Sequence, residues 1–155
     1  MLKYFTYYFS CGYRCLRVAS FLNNAKFRIK EVKRKEISFE EMKEHFDKCN
    51  IDTYAYKGNE LVSNAIYQTY LGKDFHFIYL IDKGITESLI YDPSKIFPFC
   101  LVSNQKLKRK LTGYLFKIEA KISKKRVLWY IIIQALKLIS FILFSFVIKI
   151  IVSVI

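Results

Sequence analysis

The chain of 155 residues is long enough for one domain with a modest hydrophobic core. Hydrophobic residues make up 53% of it and aromatic residues 17%, which excludes an intrinsically disordered protein. Its formal net charge of +13 indicates an anionic partner, either a nucleic acid or a membrane surface.

Apolar residues at helical spacing predict three helices in the first half of the chain. The first spans 11–22 and has Ser10 as a candidate N-cap. The second spans 37–49, with Ser38 as the N-cap and three glutamates in its early turns. An apolar stripe predicts the third over 59–70.

Branched and aromatic residues predict four strands. The first spans 51–57, and the last lies within 111–120. Between them, 75–81 and 87–92 form a predicted hairpin around the turn residues 82–84. Helices followed by an antiparallel sheet indicate an α+β fold.

The positive charge is concentrated before an apolar C-terminal segment. Nine basic residues and a single acidic one lie within 106–126, whereas 127–155 contains only Lys137 and Lys149 as charges. Basic residues beside a membrane helix stay on the cytoplasmic side and attract anionic lipid headgroups. The sequence therefore predicts a membrane protein with a cytoplasmic N-terminal domain, a lipid partner and no nucleic-acid partner.

The apolar segment is too long for a single span across the membrane. A helix over 127–155 would measure about 43 Å, against a bilayer core of about 30 Å. Lys137 at its middle would cost about 3 kcal/mol. We therefore predict a domain over 1–122 and a basic linker with the start of a transmembrane domain over 123–155. This second part divides into an interfacial helix at 127–136 and a spanning helix at 138–155, so the chain looks truncated within the membrane.

The four cysteines are predicted to be reduced. The ten residues before Cys11 are too few for a secretory signal, so the domain should face the reducing cytosol. Zinc is one alternative, because Cys11 and Cys15, and likewise His45 and Cys49, stand four residues apart on predicted helices. The compact Cys-x-x-Cys spacing of common zinc sites is absent, so no metal is predicted.

Three residues have the chemistry of a cysteine hydrolase. A helix N-terminus at Cys11 would favour the thiolate, and Gly12 would allow a substrate backbone to approach closely. If 83–85 form the hairpin loop, the sequence numbers of paired residues sum to about 168, and His76 faces Asp92. A carboxylate beside a histidine fixes its tautomer and stabilises the imidazolium. The alternative is structural, with a buried free cysteine and a core histidine.

The order of five segments resembles a known family. These are Cys-Gly-x-x-Cys-Leu at 11–16, the segment 37–58, His-Phe-Ile-Tyr-Leu at 76–80, Tyr-Asp-Pro at 91–93 and the segment 111–116. Together they resemble the papain-like double-glycine leader peptidase domain of peptidase-containing ABC exporters, the bacteriocin-processing family. The basic linker and apolar segment follow where that family begins its transmembrane domain.

The resemblance implies a papain-like fold and a role for each site residue. Cys11 would be the nucleophile, His76 the general base and acid, and Asp92 the residue that orients His76. The substrate would be a leader peptide that ends in two small residues, usually Gly-Gly. The partners would be this leader and the remainder of a homodimeric ABC exporter. The sequence contains no Gly-x4-Gly-Lys-Ser/Thr phosphate loop, so ATP is expected only on a nucleotide-binding domain elsewhere.

Two positions differ from the family pattern. Phe5 stands where the family has a glutamine that donates to the oxyanion hole, and Ser10 stands where it has an acidic residue. Losing one oxyanion donor costs about 10²- to 10³-fold in rate. A catalytically impaired leader-docking domain is therefore one alternative to an active peptidase. The other is a basic membrane-anchored adaptor, which would leave Cys11, His76 and Asp92 far apart.

Overall fold

The computed structural model describes residues 11–25, 37–71 and 74–154. The chain divides into two compact units, and the boundary between them lies after Ser123. The elements in chain order are α1 (Cys11–Leu22), α2 (Phe39–Asp47), β1 (Thr53–Lys57), β2 (Ala65–Leu71), β3 (Asp74–Lys83), β4 (Glu87–Tyr91), β5 (Phe99–Ser103), α3 (Asn104–Lys108), β6 (Leu111–Ile118) and α4 (Lys124–Val154).

The first unit is built on one six-stranded antiparallel sheet. The strand order is β1-β6-β2-β3-β4-β5, so the last strand of the chain inserts between the first two. The helix α1 packs on β3, and α2 packs on β1. Helices on an antiparallel sheet confirm the predicted α+β class.

Both faces of the sheet are buried near its centre. On one face, Phe116 of β6 stacks on Phe39, and its ring centroid lies 5.9 Å from that of Phe46. On the other face, α3 contributes Leu107 to a second cluster that includes Tyr67 and Ile78. The central strands therefore carry apolar residues on both sides, unlike the edge strand β1, of which only Thr53 is buried.

The N-terminus of α2 confirms Ser38 as its N-cap. The Ser38 hydroxyl accepts a hydrogen bond from the Glu41 N–H, and the Glu41 carboxylate accepts one from the Ser38 N–H. The helix ends at Asp47, two residues before the predicted end at Cys49.

The prediction of a third helix over 59–70 is wrong. Residues 65–71 form β2, a central strand between β3 and β6. Its run of Ile66, Tyr67, Thr69 and Tyr70 is rich in residues that favour strands. Because both of its faces are buried, the run lacks the alternation that marks a half-exposed strand. A left-handed backbone at Asn64, with φ of 59°, also excludes a helix through this point.

The β3–β4 hairpin exists, but its predicted register is wrong. Tyr79 pairs with Tyr91, and a bulge shifts the ladder before Asp82 pairs with Leu89. Sequence numbers of paired residues therefore sum to about 170 rather than 168. The turn lies after Lys83, where the Gly84 N–H donates to the Glu87 carbonyl. The elements β5 and α3 were not predicted.

The second unit is the helix α4, which is continuous from Lys124 to Val154. It covers both the predicted interfacial segment, 127–136, and most of the predicted spanning segment, 138–155. By length and composition, Lys124–Phe146 could cross a membrane. The division into interfacial and spanning parts stays a prediction, as does the domain boundary at 122.

Candidate active site

Two cysteine side chains of α1 form hydrogen bonds with the backbone of β3. The Phe77 N–H donates to Cys11 Sγ at 3.3 Å, and Cys15 Sγ donates to the Phe77 carbonyl at 3.4 Å. The β3–β4 ladder ends at Tyr79, so the backbone groups of Phe77 lie beyond it. The two cysteines, one helical turn apart, therefore occupy an open edge of β3. This contact brings Cys11 beside His76.

The position of Gly12 contradicts its expected role. A Cβ atom there would lie 2.8 Å from Ile37, 3.1 Å from Phe77 and 3.2 Å from Met42. Gly12 is buried, and the protein's own side chains fill the space expected for a substrate backbone. The missing side chain instead lets the N-terminal region of α2 pack closely on α1.

We expect Gly12→Ala to destabilise the chain by about 1 kcal/mol. Alanine favours the helix by about 1 kcal/mol, but overpacking of this kind costs about 1–3 kcal/mol. Denaturant titration of the detergent-solubilised chain measures the difference. Gly58→Ala is the control, because the nearest atoms there belong to the exposed side chain of Tyr56. A Gly12→Ala chain as stable as the wild type would contradict the packing argument.

His76 and Asp92 form a largely buried pair. His76 Nε2 lies 2.8 Å from Asp92 Oδ1, and the two side chains are 8% and 14% exposed. Asp92 Oδ1 also accepts hydrogen bonds from the backbone N–H and the hydroxyl of Ser94, and the Asp92 N–H donates to the Pro98 carbonyl. If the observed register is extended beyond Tyr91, Asp92 stands diagonally from His76 rather than directly opposite. The side chains meet because such diagonal neighbours on one face are within reach.

Two contacts that position the site are not evident from the sequence. Arg14 on α1 donates to the carbonyl of Pro93, which links the cysteine helix to the segment that carries Asp92. Ser94 holds the Asp92 carboxylate. The Asp-Pro-Ser order is typical of a turn closed by the aspartate side chain, so it could have revealed Ser94. Nothing in the sequence identifies the partner of Arg14.

The electrostatics of the site favour a thiolate and an imidazolium. Burial opposes ionisation of Cys11, but hydrogen bonds from His76 and from the Phe77 N–H outweigh it and lower the pKa of the thiol. Burial also opposes the charge on His76, but hydrogen bonds to Asp92 and Cys11 raise the pKa of the imidazole to about 9. His76 and Ser94 lower the pKa of Asp92 to about 2 against the opposing effect of burial. In contrast, burial raises the pKa of the Cys15 thiol well above its ordinary value.

These shifts predict that the pair stabilises the fold most strongly near pH 4–6.5. The carboxyl of Asp92 has a pKa of about 2 when folded and about 3.9 when unfolded, so its contribution is lost as the pH falls from about 4 to 2. The imidazole of His76 has a pKa of about 9 when folded and about 6.5 when unfolded, so its contribution is lost as the pH rises from 6.5 to 9.

Unfolding free energies of Cys11→Ala and of the Cys11→Ala/His76→Ala double variant, measured from pH 6 to pH 9, test the second window without the opposing titration of the Cys11 thiol. We expect their difference to shrink as the pH rises, by less than about 3 kcal/mol, because Cys11 no longer contributes to the raised pKa of His76. His45→Ala is the control with the opposite sign, because burial and Lys48 lower the pKa of His45. A difference for His76→Ala that stays constant or grows with pH would contradict the assigned pair.

The residues considered for zinc have other contacts. Cys11 and Cys15 both engage the backbone of Phe77, and His45 Nε2 lies 3.0 Å from the hydroxyl of Ser20. Within 11–25, 37–71 and 74–154, no three histidine, cysteine or acidic side chains are placed to hold a metal ion.

The positions that differ from the family pattern, Phe5 and Ser10, lie outside the described residues. The oxyanion expectation attached to Phe5, and the capping role of Ser10, therefore stay predictions.

Comparison with known proteins identifies the fold. No family profile and no curated protein matches the sequence. Among solved structures, a double-glycine motif protease from an AMS/PCAT transporter, in complex with the leader peptide, matches with a TM-score of 0.54 and 16% identity. That match covers 72% of this chain and 85% of the other. The peptidase domain of ComA from Streptococcus mutans, in complex with a small-molecule inhibitor, matches with a TM-score of 0.51 and 14% identity, over 67% of this chain and 92% of the other.

The first unit therefore has the fold of double-glycine leader peptidase domains of ABC transporters, as the sequence motifs predicted. At these identities the likeness is one of fold. Within that fold, the three residues selected from the sequence, Cys11, His76 and Asp92, lie together.

Proposed function

We propose that the chain is a cysteine endopeptidase that removes double-glycine-type leaders from peptides exported by an ABC transporter. The observation that carries the proposal is the contact series from Cys11 through His76 to Asp92. It supplies a thiolate, a base beside it and a carboxylate behind the base, which is the arrangement of nucleophilic catalysis.

We assign a role to each atom on the basis of these contacts. His76 Nε2 bonds to Asp92, which leaves Nδ1 as the ring nitrogen that faces Cys11. The Cys11 thiolate attacks the scissile carbonyl, and the His76 imidazolium gives its proton to the departing amine nitrogen. Water then hydrolyses the thioester, with His76 as the base that accepts its proton. The Asp92 carboxylate stabilises the imidazolium throughout.

The setting of this activity is also a proposal. The solved domains of the same fold come from ABC transporters, and one of them was captured with its leader peptide. By the same reasoning, this chain would act on a leader in the cytoplasm, anchored to the cell membrane by α4. It would work with the remainder of a homodimeric exporter, and any ATP would be bound outside this chain.

Incubation with a synthetic Gly-Gly leader-cargo peptide, followed by mass spectrometry, tests the enzyme. We expect one cut directly after the second glycine by the wild type, and none by Cys11→Ala. Cys49→Ala, which replaces a half-buried cysteine two residues beyond the end of α2, should cleave as the wild type does.

Two other results would overturn the enzyme assignment. Cleavage that persists in Cys11→Ala would exclude Cys11 as the nucleophile. Leader binding of equal strength to the wild type and Cys11→Ala, without any cut, would identify a leader-docking domain instead.

A further inference from the structure

The helix α4 has its strongly polar side chains on one side. Beyond the first turn of the candidate span, Lys124–Phe146, these residues are Gln134, Lys137, Ser140 and Ser145. At about 3.6 residues per turn, the four positions fall within an arc of about 140° around the helix axis. The opposite side is apolar, and its residues include Leu136 and Leu143, which are 59% and 61% exposed. The two sides of α4 therefore suit different surroundings.

Lys137 lies deep within this span. At about 1.5 Å per residue, it is about 20 Å from Lys124 and about 14 Å from Phe146 along the helix axis. A lysine side chain extends about 6 Å, which is too short to bring its ammonium group to either headgroup layer. The predicted interfacial segment, 127–136, would need a bend before Lys137, but α4 is continuous there. If Lys124–Phe146 forms the span, a positive charge lies near the middle of the bilayer.

This positive charge has no counter-charge on α4 itself. Residues 124–155 contain no aspartate or glutamate, so a second copy of the helix packed through the same side would place lysine beside lysine. Ionisable side chains inside a membrane pair with one another or face the interior of a helix bundle. Ser145 is satisfied within α4, because its hydroxyl donates to the Phe141 carbonyl at 2.8 Å. The side that carries Gln134 and Lys137 therefore requires a partner with negative charge.

We propose that Lys137 forms an ion pair inside the membrane with a carboxylate on a different membrane helix. Gln134, one turn away on the same side, adds a hydrogen bond between the two helices. The apolar side with Leu136 and Leu143 faces lipid. The proposal rests on the membrane anchoring proposed above, and it defines the chemistry of the partner as an acidic helix rather than a second copy of α4. It does not involve the peptidase site.

Cysteine labelling measures the depth of Lys137. Lys137→Cys and Lys125→Cys are each made in the full chain, placed in discs of neutral lipid and treated with a membrane-impermeant maleimide. Digestion and mass spectrometry report each position separately from the native cysteines. We expect Lys137→Cys to react at least about tenfold more slowly than Lys125→Cys, because the hydrocarbon core excludes water and the reagent. Equal rates would place Lys137 at the membrane surface and overturn the proposal.

A synthetic membrane helix tests the charge of the partner. The probe is a fluorescent leucine-rich peptide with one glutamate at its centre, and its match has glutamine there. Energy transfer in vesicles of neutral lipid measures its association with the labelled full chain. We expect the glutamate peptide to associate about three- to twentyfold more tightly than the glutamine peptide. Lys137→Leu should abolish this preference, whereas Lys137→Arg and the matched control Lys125→Leu should keep it.

The other outcomes also decide the proposal. Equal association of the two peptides, or a preference that survives Lys137→Leu, would overturn it. Energy transfer between two labelled copies of the chain that the glutamate peptide does not reduce would show that a second copy covers this side instead. Loss of the preference when anionic lipid is added would assign Lys137 to lipid headgroups, which also overturns it.

Failure of this proposal is distinguishable from failure of the peptidase. Neither labelling nor helix association uses the active site. Absence of Gly-Gly cleavage would therefore overturn the peptidase and leave the pairing of Lys137 intact, whereas any of the contrary results above would leave the peptidase intact.

Discussion

Replacing His76 with alanine is expected to lower kcat/KM for leader cleavage by about 10²- to 10⁴-fold, the usual contribution of a general acid–base group. The substitution removes the proton donor for the departing amine. It also removes the main interaction that lowers the pKa of the Cys11 thiol, so less thiolate forms at neutral pH. The measurement is steady-state cleavage of the Gly-Gly peptide by the full chain.

Alkylation of Cys11 provides a readout that does not depend on a substrate. Mass spectrometry after iodoacetamide treatment should show Cys11 reacting at lower pH in the wild type than in His76→Ala. Cys15 is an internal control, since it is fully buried and its pKa is raised, and it should react in neither chain while the fold is intact. Identical pH profiles of Cys11 in the two chains would refute the pairing of Cys11 with His76.

The same assay can separate two roles of the Asp92 side chain, its acceptance of hydrogen bonds and its negative charge. Asp92→Asn keeps an oxygen that accepts hydrogen bonds from His76 and Ser94, whereas Asp92→Ala removes it. We expect Asp92→Ala to reduce cleavage more than Asp92→Asn. Both should lower the pKa of His76, because both remove the negative charge beside it.

The second large effect concerns stability. Phe116→Ala should lower the free energy of unfolding by about 3–5 kcal/mol, as for other fully buried aromatic residues. Its side chain is 0% exposed and contacts the rings of both Phe39 and Phe46, where α2 meets the sheet. The resulting cavity would loosen the contact of α2 with the sheet.

Denaturant titration in detergent measures the loss for Phe116→Ala. Tyr114→Ala is the matched control, because Tyr114 is an aromatic residue two positions earlier on the same strand and is 48% exposed. We expect Tyr114→Ala to cost less than about 1 kcal/mol. Equal losses at the two positions would show that burial between the helix and the sheet is not the source of the stability.

Short-range patterns in the sequence correctly predict the elements that carry the site residues. The helix that carries Cys11, the strand at His76 and the break at Pro93 are all encoded within a few residues, and each lies where it was predicted. The contact between His76 and Asp92 was also predicted, although for an incorrect register. A bulge between Leu80 and Asp82 shifted the pairing, and bulges depend on how the whole sheet twists.

Long-range pairing was the part that the sequence could not show. The segment 65–71 becomes a strand because β3 and β6 satisfy its backbone on both sides, and β6 lies more than forty residues further along the chain. The edge strand β5 has only five residues and a weak alternation, so the sequence gives little signal for it either. The packing role of Gly12 was likewise hidden, because Met42 and Phe77 reach it from distant segments.

The insertion of β6 between β1 and β2 has a consequence for how the chain is made. Until the ribosome has released Leu111–Ile118, β1 lacks its strand partner in the described sheet, and β2 has one bare edge there with apolar residues on both faces. An apolar strand with an unpaired edge is a template for aggregation. Five residues separate the end of β6 from α4, so β6 leaves the ribosome directly before the apolar helix. A nascent chain stalled before residue 111 should therefore depend on a chaperone, whereas the chain released from the ribosome should not.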